Sequence, residues 1–276
     1  MKEENQKNPE SEQAFRSVEI CRILTGQQSK TTTDSVVVEQ AVTVMVDKVG
    51  SFTIIATPSD IEALAVGFIY SEGIIRGIKD CLAVSRSEKM PLVVGIEVQN
   101  PTQIAKRNLI VASSCGMCGV RNIEKMLSEI APCDNTLSIS ADRLTDMAET
   151  MRSMQKLFQA TGGAHAAAVF DAKETILAFA EDIGRHSAFD KAIGKCLMAE
   201  LATNGSGVVL SGRVSLEMVF KAARAGIELI AAVSAPSSFA IEAAQLWNMT
   251  VCGFVRTGRM NIYTHPERIT DVQEEL

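Results

Sequence analysis

Aromatic residues make up only 5% of this 276-residue chain, with one tryptophan and two tyrosines. The apolar fraction of 46% is nevertheless ordinary, and the length supports a sizeable core in one large domain or two modest ones. No apolar run reaches the roughly 18 residues that cross a bilayer as a helix. The start, Met1-Lys2-Glu3-Glu4, lacks a following apolar stretch, so no signal peptide is expected. A net charge of −6 gives no electrostatic case for general nucleic-acid binding, yet it leaves room for a local basic pocket. Seven cysteines, an odd number at irregular spacing, argue against a secreted disulfide framework. A reducing cytoplasm is the expected setting, with no membrane or nucleic-acid partner. Repeats and low-complexity segments are absent.

What stands out instead is Ser113-Ser114-Cys115-Gly116-Met117-Cys118-Gly119. The thiols of Cys115 and Cys118 can reach one another, a metal ion or an incoming substrate, and the glycines permit close backbone approach. A zinc or iron–sulfur site needs about four ligands, and no second C-x-x-C or H-x-x-H exists. A site shared by two chains stays open. A thioredoxin-like motif expects a strand-to-helix junction with proline or an aromatic nearby, unlike Gly116-Met117. A structural pair prefers apolar neighbours. What remains is a mobile nucleophilic thiol that accepts and hands on a group, for which exposure and a thiolate form are required.

Residues 1–34 read as a mostly disordered tail, polar over the first 16 or so. Residues 35–138 read as a small α+β domain that carries the C-x-x-C loop. Within it Val36–Glu39 and Val42–Val46 suggest paired strands, Asp47–Gly50 a turn and Ser51–Ile55 a further strand. A helix follows, capped by Ser59 with Glu62 or by Thr57 with Pro58, and ends near Ser71-Glu72-Gly73. Then come a strand over Pro91–Val98, the thiol loop and an amphipathic segment over Ile123–Ile130. Residues 139–276 read as a layered α/β domain. A helix opens at Ser140 and runs to Gly162-Gly163, with Leu144, Met147, Met151, Met154, Leu157 and Phe158 on a core face. A hairpin turning at Asp171–Glu174 precedes alternating helices and strands. The whole is therefore α/β.

Three polar clusters follow predicted strands in that second unit: Glu181–His186, Ser211–Ser215 and Phe254–Arg259. Ligands of open α/β sheets gather outside strand carboxyl ends, where helix N-termini and arginine forks suit phosphate. Arg213, Arg256 and Arg259 thus describe an anionic, diphosphate-bearing ligand, against the alternative that each pairs with a surface carboxylate. His186 and His165, among three histidines, stay open between structural and chemical roles.

The chain resembles the FdhD/NarQ family from about Val36 to Ile269. The likeness rests on Thr57-Pro58-Ser59-Asp60, Ser114–Gly119, Gly162-Gly163-Ala164-His165 and Glu181–His186 with Asp190-Lys191. Ser211–Met218, Ser234–Ser237 and Gly253–Arg259 with Asn261-Ile262-Tyr263 complete it. Asp47-Lys48 and Ser187 depart from the family pattern without touching the thiols. The resemblance implies a cytoplasmic sulfurtransferase that takes sulfur from a cysteine desulfurase as a persulfide. Delivery is to the molybdenum (or tungsten) bis(molybdopterin guanine dinucleotide) cofactor on behalf of formate dehydrogenase. This cofactor is a client, with no permanently bound cofactor or metal expected. By carry-over, Cys115 is the persulfide cysteine and Cys118 its partner. Phe254, Val255, Arg256, Thr257, Gly258 and Arg259, with Arg213 and His186, are the client-binding residues. A cytidine-deaminase-like second domain and a homodimer are also implied. Zinc-deaminase chemistry is not expected: His165-Ala166-Ala167 lacks the glutamate and Pro132-Cys133 lacks a second cysteine. The alternative is a non-catalytic chaperone with a redox-sensitive or metal-binding thiol pair.

Overall fold

A computed structural model describes residues 14–26, 28–87, 92–99, 101, 109–111 (backbone alone) and 130–271. Cys115, Cys118 and the amphipathic segment before Ile130 lie outside the described residues.

From Phe15 onward the expected tail is instead a hairpin. Strand β1 (Phe15–Arg22) pairs antiparallel with β2 (Lys30–Val37) along its whole length. Threonine and valine in β2 favour the extended backbone. This pairing also takes Val36 and Val37 away from the next strand, so the anticipated pairing of Val36–Glu39 with Val42–Val46 does not occur.

The next strand, β3 (Gln40–Val46), turns through Lys48, at φ 61°, into β4 (Gly50–Ala56). With β5 (Cys81–Arg86), β6 (Leu92–Val98) and β7 (Leu109–Val111) they form a sheet of order β5-β6-β3-β4-β7. Helix α1 (Ile61–Ser71) covers one face, packing Ile61, Leu64 and Phe68 on Val44, Phe52 and Val94. Neither anticipated cap holds it: Asp60 is the N-cap, at φ 50°, without a side-chain capping hydrogen bond, its carboxylate pairing instead with Lys195 at 2.7 Å. Gly73, at φ 74°, follows its end.

The second sheet has the order β13-β12-β11-β10-β8-β9. Its strands are β8 (His165–Phe170), β9 (Ile176–Asp182), β10 (Ser206–Leu210), β11 (Ile227–Ala232), β12 (Thr250–Arg256) and β13 (Arg259–Thr264). Both faces are covered, hence the continuous apolar strands. Helix α2 (Ala141–Met154) lays Leu144, Met147 and Met151 on one face, so these methionines are core. The other face carries α4 (Arg185–Met198), α5 (Leu216–Arg224) and α6 (Ser238–Leu246). Ser140 caps α2 by accepting the Arg143 N–H at 3.3 Å. The helix stops at Gln155, and a short α3 (Lys156–Thr161) completes the run to Gly162.

Residues just before α2 already belong to this second layer. Cys133 N–H donates to Trp247 O, and Thr136 and Leu137 donate to the Glu228 carboxylate. The two sheets meet through α1 and α4. A Cβ on Gly67 would lie 1.9 Å from Asp190 O, and one on Gly194 equally close to Ala63 O. Backbone thus meets backbone at this crossing.

Candidate functional site

The pairing of the second sheet brings its polar ends to one edge. β10, β11 and β12 run parallel, while β8 runs antiparallel to β10 with its start, His165, opposite Asp182 at the end of β9. Arg256 and Arg259 face each other across the β12–β13 turn, where Gly258 takes φ 74°. That turn replaces the open loop expected after the last strand. All three clusters therefore share the edge at which ligands of such sheets collect.

A cavity of about 540 Å³ opens there against α2 and α3. Of the anticipated residues, Val255, Arg256 and Thr257 line it, together with His165 and Ser211. Phe254 is 39% exposed, held at φ 54°, and its N–H donates to Ser234 O. Among the described residues no carboxylate pairs with Arg213, Arg256 or Arg259 (at the N···O distance of a salt bridge), so the surface-pair alternative lacks its partners there. A larger hollow of about 760 Å³ lies by the β3–β4 turn, but none of the strand-end loops lines it.

Beside the cavity, His165 Nδ1 lies 3.3 Å from Ser211 Oγ, which accepts the Ala166 N–H at 2.8 Å. With that lone pair engaged, the serine proton is available to Nδ1. Burial, then the Arg185 and Arg213 charges, lower the His165 pKa. Burial and Arg213 likewise lower that of Arg185, against Glu217. Arg185 Nε and Ser215 Oγ are buried without a hydrogen-bond partner among the described residues. The edge thus concentrates positive charge near unfilled donors.

His186 is placed differently. It is 8% exposed, with Nε2 3.2 Å from Glu217 Oε2, and it does not line the cavity. Glu181 accepts the Leu157 and Phe158 N–H groups, both at 2.9 Å, and so caps α3. Asp182 is paired with Lys191 at 2.7 Å. Two of the acidic and basic groups of that cluster are therefore committed to structure. The described residues contain no group of three or more His, Cys, Asp or Glu placed to hold a metal.

Helix α2 and its end supply lining residues that sequence reasoning missed: Glu149, Arg152 and Gln155. Thr257 Oγ1 donates to Glu149 Oε1, tying the β12–β13 turn to α2. On a sequence Glu149 and Arg152 look like any solvated helix face, and Gln155 carries no motif.

The FdhD/NarQ family profile matches residues 37–270. Among curated relatives, the sulfur carrier protein FdhD of Picrophilus torridus is 38% identical over 253 residues, covering 90% of this chain and 96% of its own. That of Saccharolobus solfataricus is 37% identical over 240 residues, covering 86% and 91%. A crystal structure described as a candidate formate dehydrogenase accessory protein from Desulfotalea psychrophila shares the fold. It superposes with a TM-score of 0.77 at 22% identity, covering 93% of this chain and 99% of that one. With the profile spanning most of its length and relatives above one-third identity, the chain belongs to the FdhD/NarQ family.

Proposed function

We propose that this chain is a cytoplasmic sulfur carrier that serves formate dehydrogenase. It takes sulfur from a cysteine desulfurase and delivers it to the molybdenum or tungsten bis-pterin guanine dinucleotide cofactor, as a homodimer. The observation that carries this reading is the sheet edge beside the cavity, where Arg256 and Arg152 line the space and the charges of Arg185 and Arg213 fall on His165, which suits a diphosphate-bearing client. The names of the relatives, sulfur carrier protein FdhD, point the same way.

Cysteine chemistry narrows the acceptor. Burial pushes Cys81, Cys133 and Cys196 up to about 11 and Cys252 to about 12, which starves them of thiolate at neutral pH. The candidates left are Cys21, Cys115 and Cys118, of which the last two form the glycine-flanked pair. The Cys115 thiolate attacks the outer sulfur of the desulfurase persulfide. A new S–S bond forms on Cys115, the desulfurase S–S bond breaks, and its cysteine leaves as thiolate. For delivery, the Cys118 thiolate attacks the Cys115 sulfur and expels the terminal sulfur as hydrosulfide. The two electrons come from the thiol pair, which becomes a disulfide and is reset by a cellular dithiol reductant. Arg256, Arg259 and Arg213 hold the client's phosphates.

Incubation with desulfurase and cysteine, read by intact mass, tests this. Wild type gains sulfur-sized adducts and Cys115→Ala does not; unchanged labelling removes Cys115 as acceptor. In cells, the Cys115/Cys118 double substitution abolishes formate dehydrogenase activity. Retained activity would instead favour a chaperone without sulfur transfer.

A further inference from the structure

A second hollow, of about 560 Å³, lies across the α2–α3 junction from the first. Met154, Lys156 and Leu157 line it, whereas Gln155 and Phe158 line the cavity at the sheet edge, so the junction divides the two. The base of the β1–β2 hairpin, the start of α1, β9 and α4 supply its other walls. Phe15, Phe179, Met154 and Leu157 give it an apolar interior of small-molecule size.

Charge in the lining is balanced, Lys156 and Lys195 against Asp60 and Glu181. Glu181 is committed to the N–H groups of Leu157 and Phe158. The other three keep bonding capacity. An N-cap aspartate ordinarily turns its carboxylate back onto its helix. Asp60 does not, and it gives Oδ2 to Lys195 at 2.7 Å, which leaves Oδ1 as an acceptor. Lys195 also donates to Phe179 O at 3.0 Å, so one of its three N–H groups is left. Among the described residues no carboxylate pairs with the exposed Lys156. Donors and an acceptor that the fold does not use thus border one apolar space.

A simple anion would set its charge against Asp60, and a simple cation would face both lysines. A ligand with both charges beside an apolar body suits all three groups. We propose that this hollow binds a small α-amino acid with an apolar side chain. Lys156 and Lys195 donate to its carboxylate, Asp60 accepts from its ammonium, and its side chain enters among Phe15, Phe179 and Leu157. This site stands apart from the client reading and does not depend on it.

Calorimetric titration of the full chain with leucine, phenylalanine and glycine tests it. Each apolar amino acid is compared with its analogue lacking the ammonium (4-methylpentanoate, 3-phenylpropionate) and with its analogue lacking the carboxylate (3-methylbutylamine, 2-phenylethylamine). Leucine or phenylalanine should bind about tenfold or more tighter than glycine and than both of its own analogues. If neither does, the proposal is overturned. Lys156→Ala, a change at an exposed side chain, should weaken that amino acid about tenfold and leave its amine analogue unchanged. Asp60→Asn should weaken it by a similar factor, about tenfold, and leave the carboxylate analogue unchanged. Full affinity in both variants overturns the assignment. So does a Met154 methyl resonance of the wild type that stays in place when the amino acid is added, a readout that needs no variant to fold.

Discussion

Asp182 and Lys191 meet 2.7 Å apart with neither side chain accessible to solvent. The pair does more than neutralise itself. Asp182 also accepts the Thr57 N–H at 3.0 Å and the Gly184 N–H at 2.8 Å, while Lys191 donates to Thr57 O at 3.0 Å. It thereby fastens the segment entering α1 to the end of β9 and the start of α4, beside the sheet edge that bears the site.

Removal of one partner leaves an uncompensated buried charge, whose cost is about 3–5 kcal/mol. Lys191→Met should therefore lower unfolding free energy in urea by that order, and a loss below about 1 kcal/mol would mean that the pair does not brace the fold.

The helix crossing makes a second prediction. At Gly194 an added methyl meets the Ala63 carbonyl at 1.9 Å, backbone that cannot rotate away. Gly194→Ala should force α1 and α4 apart and cost at least the ~1–3 kcal/mol typical of overpacking. A melting temperature equal to wild type would show that the crossing is looser than this contact implies.

His165 sets a pH dependence. Its folded pKa lies below the ordinary value because of burial and then Arg185 and Arg213. As pH falls through about 6.5, the unfolded chain takes up the proton first and the folded chain lags. Stability is thus lost progressively from about pH 6.5 down to the folded pKa and the loss then levels off. NMR titration should place the His165 midpoint below about 6.5, and Arg213→Ala should move it upward. A midpoint unmoved by that substitution would separate His165 from the cationic cluster.

Brief alkylation at pH 7 of the native protein, mapped by peptide mass, should spare Cys133, Cys196 and Cys252, whose pKa values stand at about 11, 11 and 12. Label should appear at Cys115 or Cys118. Strong labelling of Cys196 or Cys252 would show that their burial does not suppress the thiolate.

Much of this protein was legible without coordinates because its signals are local. Alternation and helical spacing located β8, β9, β10, β11 and α4, α5, α6 to within a few residues, since each strand and helix face must be apolar where it is covered. Glycine and arginine at strand ends marked the edge, and the spacing of Cys115 and Cys118 marked the thiols, which lie outside the described residues. The local signals failed where partners are distant in sequence. Thr257 and Glu149 are 108 residues apart, and only the sheet register brings the turn over α2. Val36 could not announce whether it would pair with β1 or β3, because either partner satisfies an extended β-branched strand. His186 belongs to a strand-end motif, yet the fold puts it on Glu217 and away from the cavity lining. Gln155 is a further case, since only the packing of α2 and α3 on the sheet brings it to the cavity lining. Sequence determined which residue types were available for thiol and anion chemistry; tertiary packing decided which of them share a cavity, because that depends on contacts between segments that the chain does not place side by side.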